Sequence, residues 1–149
     1  MRYETLSHSA KMKFFQRLHK KLNHDLFDGE LERIFIDVQN ISKHEDLWGL
    51  YRDGNEIYPK AILFSYEFED HIEQLKTQKE QLVFVAYVLC HEMVHQYCSE
   101  NGIDDTNHSA EWQKQAAKRG VLDIYEDGKP KCAKIGFAII ISVMNMRIY

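Results

Sequence analysis

The alternation of apolar and polar positions divides the chain into a short series of elements. Phe15, Leu18, Leu22 and Leu26 recur at three- and four-residue spacing, with Phe14 beside them, and predict a helix from about Ala10 to Phe27. Ser7 or Ser9 can cap its start, and Asp28-Gly29 marks its stop. Arg33 to Val38 is β-branched and aromatic-rich and reads as a strand. Trp48 to Arg52 and Ile57 to Phe64 flank Asp53-Gly54-Asn55, which predicts a hairpin. Pro59 lacks an amide donor, so its strand is expected at a sheet edge or bulged. Such an edge can hold an extended peptide through main-chain hydrogen bonds. Tyr66 to Lys76 reads as a short helix or an irregular connection.

Leu82 to Cys90 is apolar without a break, and its β-branched content alone would fit a strand. Thr77-Gln78-Lys79-Glu80 decides otherwise. It is a capping box, with Thr77 as N-cap and Glu80 at the third helical position. The pattern continues through His95 to Cys98 and stops at Asn101-Gly102, which predicts a helix of about twenty residues, roughly 30 Å long. A helix apolar on all sides is buried. After the polar loop Asp104 to Asn107, a second helix is expected from about Ser109 to Arg119, capped by Thr106 or Asn107. Glu126 to Pro130 reads as a turn and Ile135 to Val143 as a strand. There is no internal repeat or low-complexity segment.

The 149 residues suffice for one domain with a real core. The formal net charge of −4 gives no global field toward nucleic acid or anionic membrane. Lys11, Lys13, Arg17, Lys20 and Lys21 stripe one face of the first helix, and we read them as a solvated face rather than a DNA contact. Three cysteines with no C-x-x-C spacing argue against a disulfide framework and fit a reducing, cytoplasmic setting. Cys90 and Cys98 are expected as small core hydrophobes. Residues Met1 to Ala10 have no signal-peptide core, and Gly136 to Val143 is too short to span a bilayer.

The buried helix ends in chemistry. Cys90-His91-Glu92-Met93-Val94-His95 contains H-E-x-x-H. Its two imidazoles, four apart, project from one helical face, and Glu92 lies about 100° round the helix from His91. Two imidazoles and a carboxylate at the end of a buried helix need partners, and a zinc ion supplies them, with the glutamate handling a water. A catalytic zinc site takes three protein ligands and keeps one position open. Position 101, where a short spacing would put a third histidine, is Asn101. His108 and Glu111 are the remaining candidates. His8, His19, His24, His44 and His71 lie in polar surroundings and read as surface groups.

These residues, taken together, resemble the SprT-like zinc metallopeptidases, the family that includes the Spartan proteases. The resemblance rests on His91 to His95, on a following glycine, and on a histidine opening a helix with an aromatic soon after, here His108 and Trp112. Leu26 to Leu31 is similar to that family's helix-to-strand turn, and Trp48 to Tyr51 with Ile62 to Ser65 to its hairpin. The similarity covers about Phe14 to Tyr125. It implies an α+β, zincin-like metallopeptidase fold, a small sheet packed on helices with the HExxH helix central. Residues 1–125 would form that domain, and 126–149 a C-terminal turn and strand in the same compact unit.

By the resemblance, His91, His95 and His108 hold one catalytic zinc and Glu92 is the base of a metalloendopeptidase acting on protein or peptide substrates, with a role in DNA-associated protein turnover. Ser109 stands where the family commonly has glycine, and of the C-terminal zinc ribbon of many members only Cys132 remains. We also consider that thiol as an inhibitory occupant of the open metal position. Other readings are a non-catalytic zinc module for protein or nucleic acid, and a repressor-cleaving peptidase. Tyr51 and Tyr58 are available as oxyanion donors, but nothing in the sequence selects one.

Overall fold

The computed structural model describes residues 2–41 and 48–149, so the expectation for His44 lies outside the described residues. A 3₁₀ turn at Tyr3–Thr5 leads into α1 (His8–Leu26). Strands β1 (Phe35–Val38), β2 (Gly49–Arg52) and β3 (Ala61–Phe64) follow, then α2 (Tyr66–Glu73), α3 (Gln78–Glu100) and α4 (Ala110–Lys118). A hairpin of β4 (Ile124–Glu126) and β5 (Lys129–Cys132) precedes the last helix, α5 (Phe137–Val143). The architecture is mixed α+β, and no helix among the described residues is long and apolar enough to cross a membrane.

Helix α3 is the spine. Thr77 Oγ1 accepts the Glu80 amide at 3.1 Å, and Glu80 Oε2 accepts the Lys76 amide at 3.0 Å, so the capping box closes one residue earlier than its usual form. At the other end the Ile103 amide reaches back to the Cys98 carbonyl at 2.8 Å, with Gly102 at φ +66°, a Schellman stop that needs the left-handed conformation. Between these ends the run from Leu82 through Cys90 is almost wholly buried. Burial pushes the Cys90 thiol up to about 12 and Cys98 to about 11, so both behave as inert core groups. Rings from other elements pack along this spine. Phe15 of α1 lies 4.7 Å from Phe64 of β3, Phe64 stacks on Phe68 of α2 at 4.4 Å, and Phe68 stacks on Phe84 of α3 at 5.6 Å.

The three-stranded sheet has the order β1-β3-β2, with β1 parallel and β2 antiparallel to β3. β2 and β3 form the expected hairpin, but the structure corrects the reading of its second strand. The strand after Pro59 starts only at Ala61, is central rather than an edge, and is buried at every position. Pro59 stays in the connection, where the Asn55 side chain accepts the amides of Ile57 and Tyr58. The edge strand beside α3 is β2.

Helix α1 begins at His8, with Ser7 as its cap. Ser109, not Thr106 or Asn107, caps α4 by accepting the Trp112 amide at 3.1 Å. Ile135 to Val143 is not a strand. It is largely α5, whose Ile139 and Val143, four apart, join the same core as α1 and α3. Glu126 to Pro130 is more than a turn. Asp127 (φ +52°) and Gly128 (φ +77°) form the two-residue link of the β4–β5 hairpin, and residue 125 falls inside that hairpin.

Candidate metal centre

His91 and His95 project from the second half of α3, and the turn before α4 brings His108 over them. One ligand atom from each of the three lies within 4.8 Å of the others. The turn is unusual. Asn107 and His108 have φ of +53° and +50°, two successive non-glycine residues in the left-handed region, where strain collects at functional sites. Trp112, fully buried one turn into α4, lies against all three rings, with centroids 4.7 Å from His91, 4.9 Å from His95 and 4.7 Å from His108. Tyr125 of β4 stacks on the outer side of His108 at 4.7 Å.

Each imidazole is oriented by an acceptor. His91 Nδ1 donates to Asp123 Oδ2 at 3.3 Å, His95 Nδ1 to Asp105 Oδ2 at 2.7 Å, and His108 Nδ1 to the Gly128 carbonyl at 3.0 Å. Carboxylates and carbonyls only accept, so each neutral ring carries its hydrogen on Nδ1 and a lone pair on Nε2. The Nε2 atoms of His91 and His108 are 3.3 Å apart. A tetrahedral zinc with bonds of about 2.0–2.1 Å sets its nitrogens about 3.3–3.4 Å apart. The donor set, its tautomers and this spacing therefore fit a zinc ion.

The electrostatics follow from the same contacts. Burial disfavours a charged His91, but the neighbouring Glu92 and Asp123 outweigh it and raise its pKa. Burial lowers His108 to about 4, and the His91 and His95 rings add to the effect. Asp123 is fully enclosed and also accepts from Tyr87 Oη at 2.6 Å and from the Lys134 amide at 3.0 Å. Burial alone would raise its pKa; the donors around it prevail and hold it below the carboxylate range.

Glu92 is buried and its Oε2 lies 3.8 Å from His91 Nε2. A cleft of about 480 Å³ opens here, lined by Gly49, Leu50 and Tyr51 of β2 on one wall and by Glu92 and the three histidines on the other. Gly49 makes the close approach possible, because a Cβ there would stand 3.2 Å from Glu92 Cγ and from Val88 Cγ1. Tyr51 lines the cleft, whereas Tyr58 is exposed and packs under the Arg52 guanidinium.

The structure thus brings His91, Glu92, His95 and His108 together and leaves Glu111 out. Glu111 is exposed, and its carboxylate accepts from Gln115 Nε2 at 2.8 Å rather than from a histidine. Cys132 is exposed with its sulfur against the Ala133 carbonyl, outside the histidine cluster. His19 is not a surface group: it is buried, with Nε2 3.0 Å from Gln96 Oε1. His71 is half-buried, against Trp48 and Phe84. Three residues that orient the site, Asp105, Asp123 and Gly128, were not singled out from the sequence. Comparison of the chain with models of known families, with curated proteins and with solved structures finds no match.

Proposed function

We propose that the chain is a zinc metalloendopeptidase of zincin-like architecture, hydrolysing peptide bonds of protein substrates. One observation carries this reading. Three imidazoles whose Nδ1 atoms are all engaged turn their Nε2 lone pairs toward one point, beside a buried glutamate and an accessible cleft. His91, His95 and His108 would hold a zinc ion, which would supply Lewis acidity toward a scissile carbonyl and a water. Glu92 would take a proton from the attacking water and return it to the leaving amine. Three protein ligands, rather than four, would leave one position open. The edge of β2, unpaired among the described residues, offers main-chain donors and acceptors to an extended substrate.

The test is hydrolysis of unfolded and of DNA-bound proteins by chain of measured zinc content, with and without chelator. Glu92→Gln should keep one zinc per chain and lower turnover by about 100- to 10,000-fold. Turnover equal to the parent would end the peptidase reading. Zinc at one per chain without any hydrolysis by the parent would favour a non-catalytic zinc module.

A further inference from the structure

Beside α1, between that helix and the segment leading into β1, lies a second cavity, of about 490 Å³. Arg17, Lys20 and Arg33 line it, and no carboxylate does. This is notable in a chain with net charge −4. Two other cations of α1 are matched: Lys11 pairs with Glu69 at 2.8 Å and Lys21 with Asp25 at 2.9 Å. Lys20 and Arg33 pair with no acid among the described residues. Arg17 is held in place by the Arg147 and Ile148 carbonyls, at 3.2 and 3.0 Å, which fix the guanidinium without neutralising it.

The walls are built rather than incidental. Asn23 both donates to the Leu31 carbonyl and accepts the Leu31 amide, each at 3.0 Å, and Gln16 Nε2 donates to the Ile34 carbonyl at 2.9 Å. These bonds lock the backbone that carries Arg33 onto α1. His19, at the cavity, joins it to α3 through Gln96, the residue after His95.

We propose that this cavity binds the phosphoryl group of a small phosphorylated molecule. Three cations without a counter-charge call for a ligand with two or more negative charges. Guanidinium forks match phosphate oxygens in geometry, and the volume is that of a small-molecule site. A nucleic-acid backbone would need a track of cations along α1, and the pairing of Lys11 and Lys21 interrupts it.

The experiment titrates the full chain, isotopically labelled, with inorganic phosphate, with pyrophosphate and with a short oligothymidylate, at constant ionic strength set by chloride. The Asn23 and Gln96 side-chain amides and the Arg33 guanidinium are the reporters. Saturable shifts with phosphate, tighter binding of pyrophosphate, and a loss on the order of tenfold in Lys20→Ala/Arg33→Ala support the proposal. Both side chains are exposed, so the double variant should melt with the parent. Shifts that never saturate, or affinity unchanged in the double variant, would overturn it. So would oligothymidylate binding through the same residues while pyrophosphate does not.

Discussion

The Nε2 atoms of His91 and His108 face each other at 3.3 Å, and in neutral rings neither has a hydrogen to offer the other. Two lone pairs in a half-buried site repel unless a cation lies between them, and a proton can serve when zinc does not. With its pKa raised, His91 keeps a proton in the metal-free fold to higher pH than in the unfolded chain. That stabilisation is fully present below the ordinary imidazole value of 6.5 and is lost as pH rises through the folded value. His108, lowered to about 4, works oppositely: its contribution is present above 6.5 and lost as pH falls through its folded value. The two together place the stability maximum of the metal-free protein near pH 6.5. Thermal melts between about pH 5 and 9 should show that maximum, and saturating zinc should remove the alkaline decline. A metal-free melting temperature that climbs steadily through the alkaline side would contradict this account.

The two orienting carboxylates should differ when neutralised. The Asp123 side chain has no exposed surface and four donors around it, whereas the Asp105 side chain is about a third exposed and accepts from His95. Asp123→Asn leaves buried donors poorly matched, at a cost of about 1–3 kcal/mol in stability, and should weaken zinc binding by about 10- to 100-fold. Asp105→Asn should reach a similar loss of zinc affinity with a much smaller loss of stability, because water can replace the lost partner. Chelator competition and denaturant unfolding, run side by side, separate the two effects. Equal unfolding energies in both variants would show that the enclosure of Asp123 is irrelevant.

Much of this arrangement can be read from local signals. Thr77 with Glu80 announces the start of α3, Gly102 its end, and the four-residue spacing of His91 and His95 puts both on one face. Asp105 and Asp123 carry no such signal. Each reaches its histidine only because a loop folds back, and acidic residues in loops are ordinary. Helix α5 is misread as a strand because an apolar, β-branched run has no clear period; packing of Ile139 and Val143 against α1 and α3 decides it. The β4–β5 hairpin had a readable signal in Asp127-Gly128, obscured by the very short strands on either side. Pro59, read as a sign of an edge or bulged strand, instead lies in the connection, and the central strand begins two residues later.

Gly128 links that hairpin to the candidate metal centre. Its carbonyl holds His108, it sits at φ +77°, and a Cβ would stand 2.9 Å from Asn107 Cβ and 3.0 Å from the Asn107 carbonyl oxygen. Gly128→Ala should therefore strain both turns at once, at a cost on the order of 1–3 kcal/mol, and displace His108 from its partners. Zinc affinity should fall along with stability. Unchanged affinity in a folded Gly128→Ala protein would mean that the hairpin does not position His108.

Gly49 offers the complementary case, a change that should disturb the proposed catalytic carboxylate and leave metal binding alone. It pairs with Phe64 in the sheet and rests against α3 at Glu92. In Gly49→Ala the new Cβ would meet Glu92 Cγ and Val88 Cγ1 at 3.2 Å and Glu92 Oε2 at 3.4 Å, tight enough to push the carboxylate by a few tenths of an ångström. Val88 belongs to the buried core and can yield little, so Glu92, at the cleft, takes most of the shift. Displacement of a reacting group by 1 Å costs about 100-fold in rate, so alanine should lower kcat by about tenfold or less, and valine, with its larger branch, by up to about 100-fold. None of the three imidazoles is among the three nearest neighbours of that Cβ, so zinc affinity should stay within about twofold of the parent. Measuring kcat and zinc affinity on the same preparations tests the argument. A Gly49→Val protein that loses its zinc in step with its activity would place the strand's role in holding the metal site together instead of in setting Glu92.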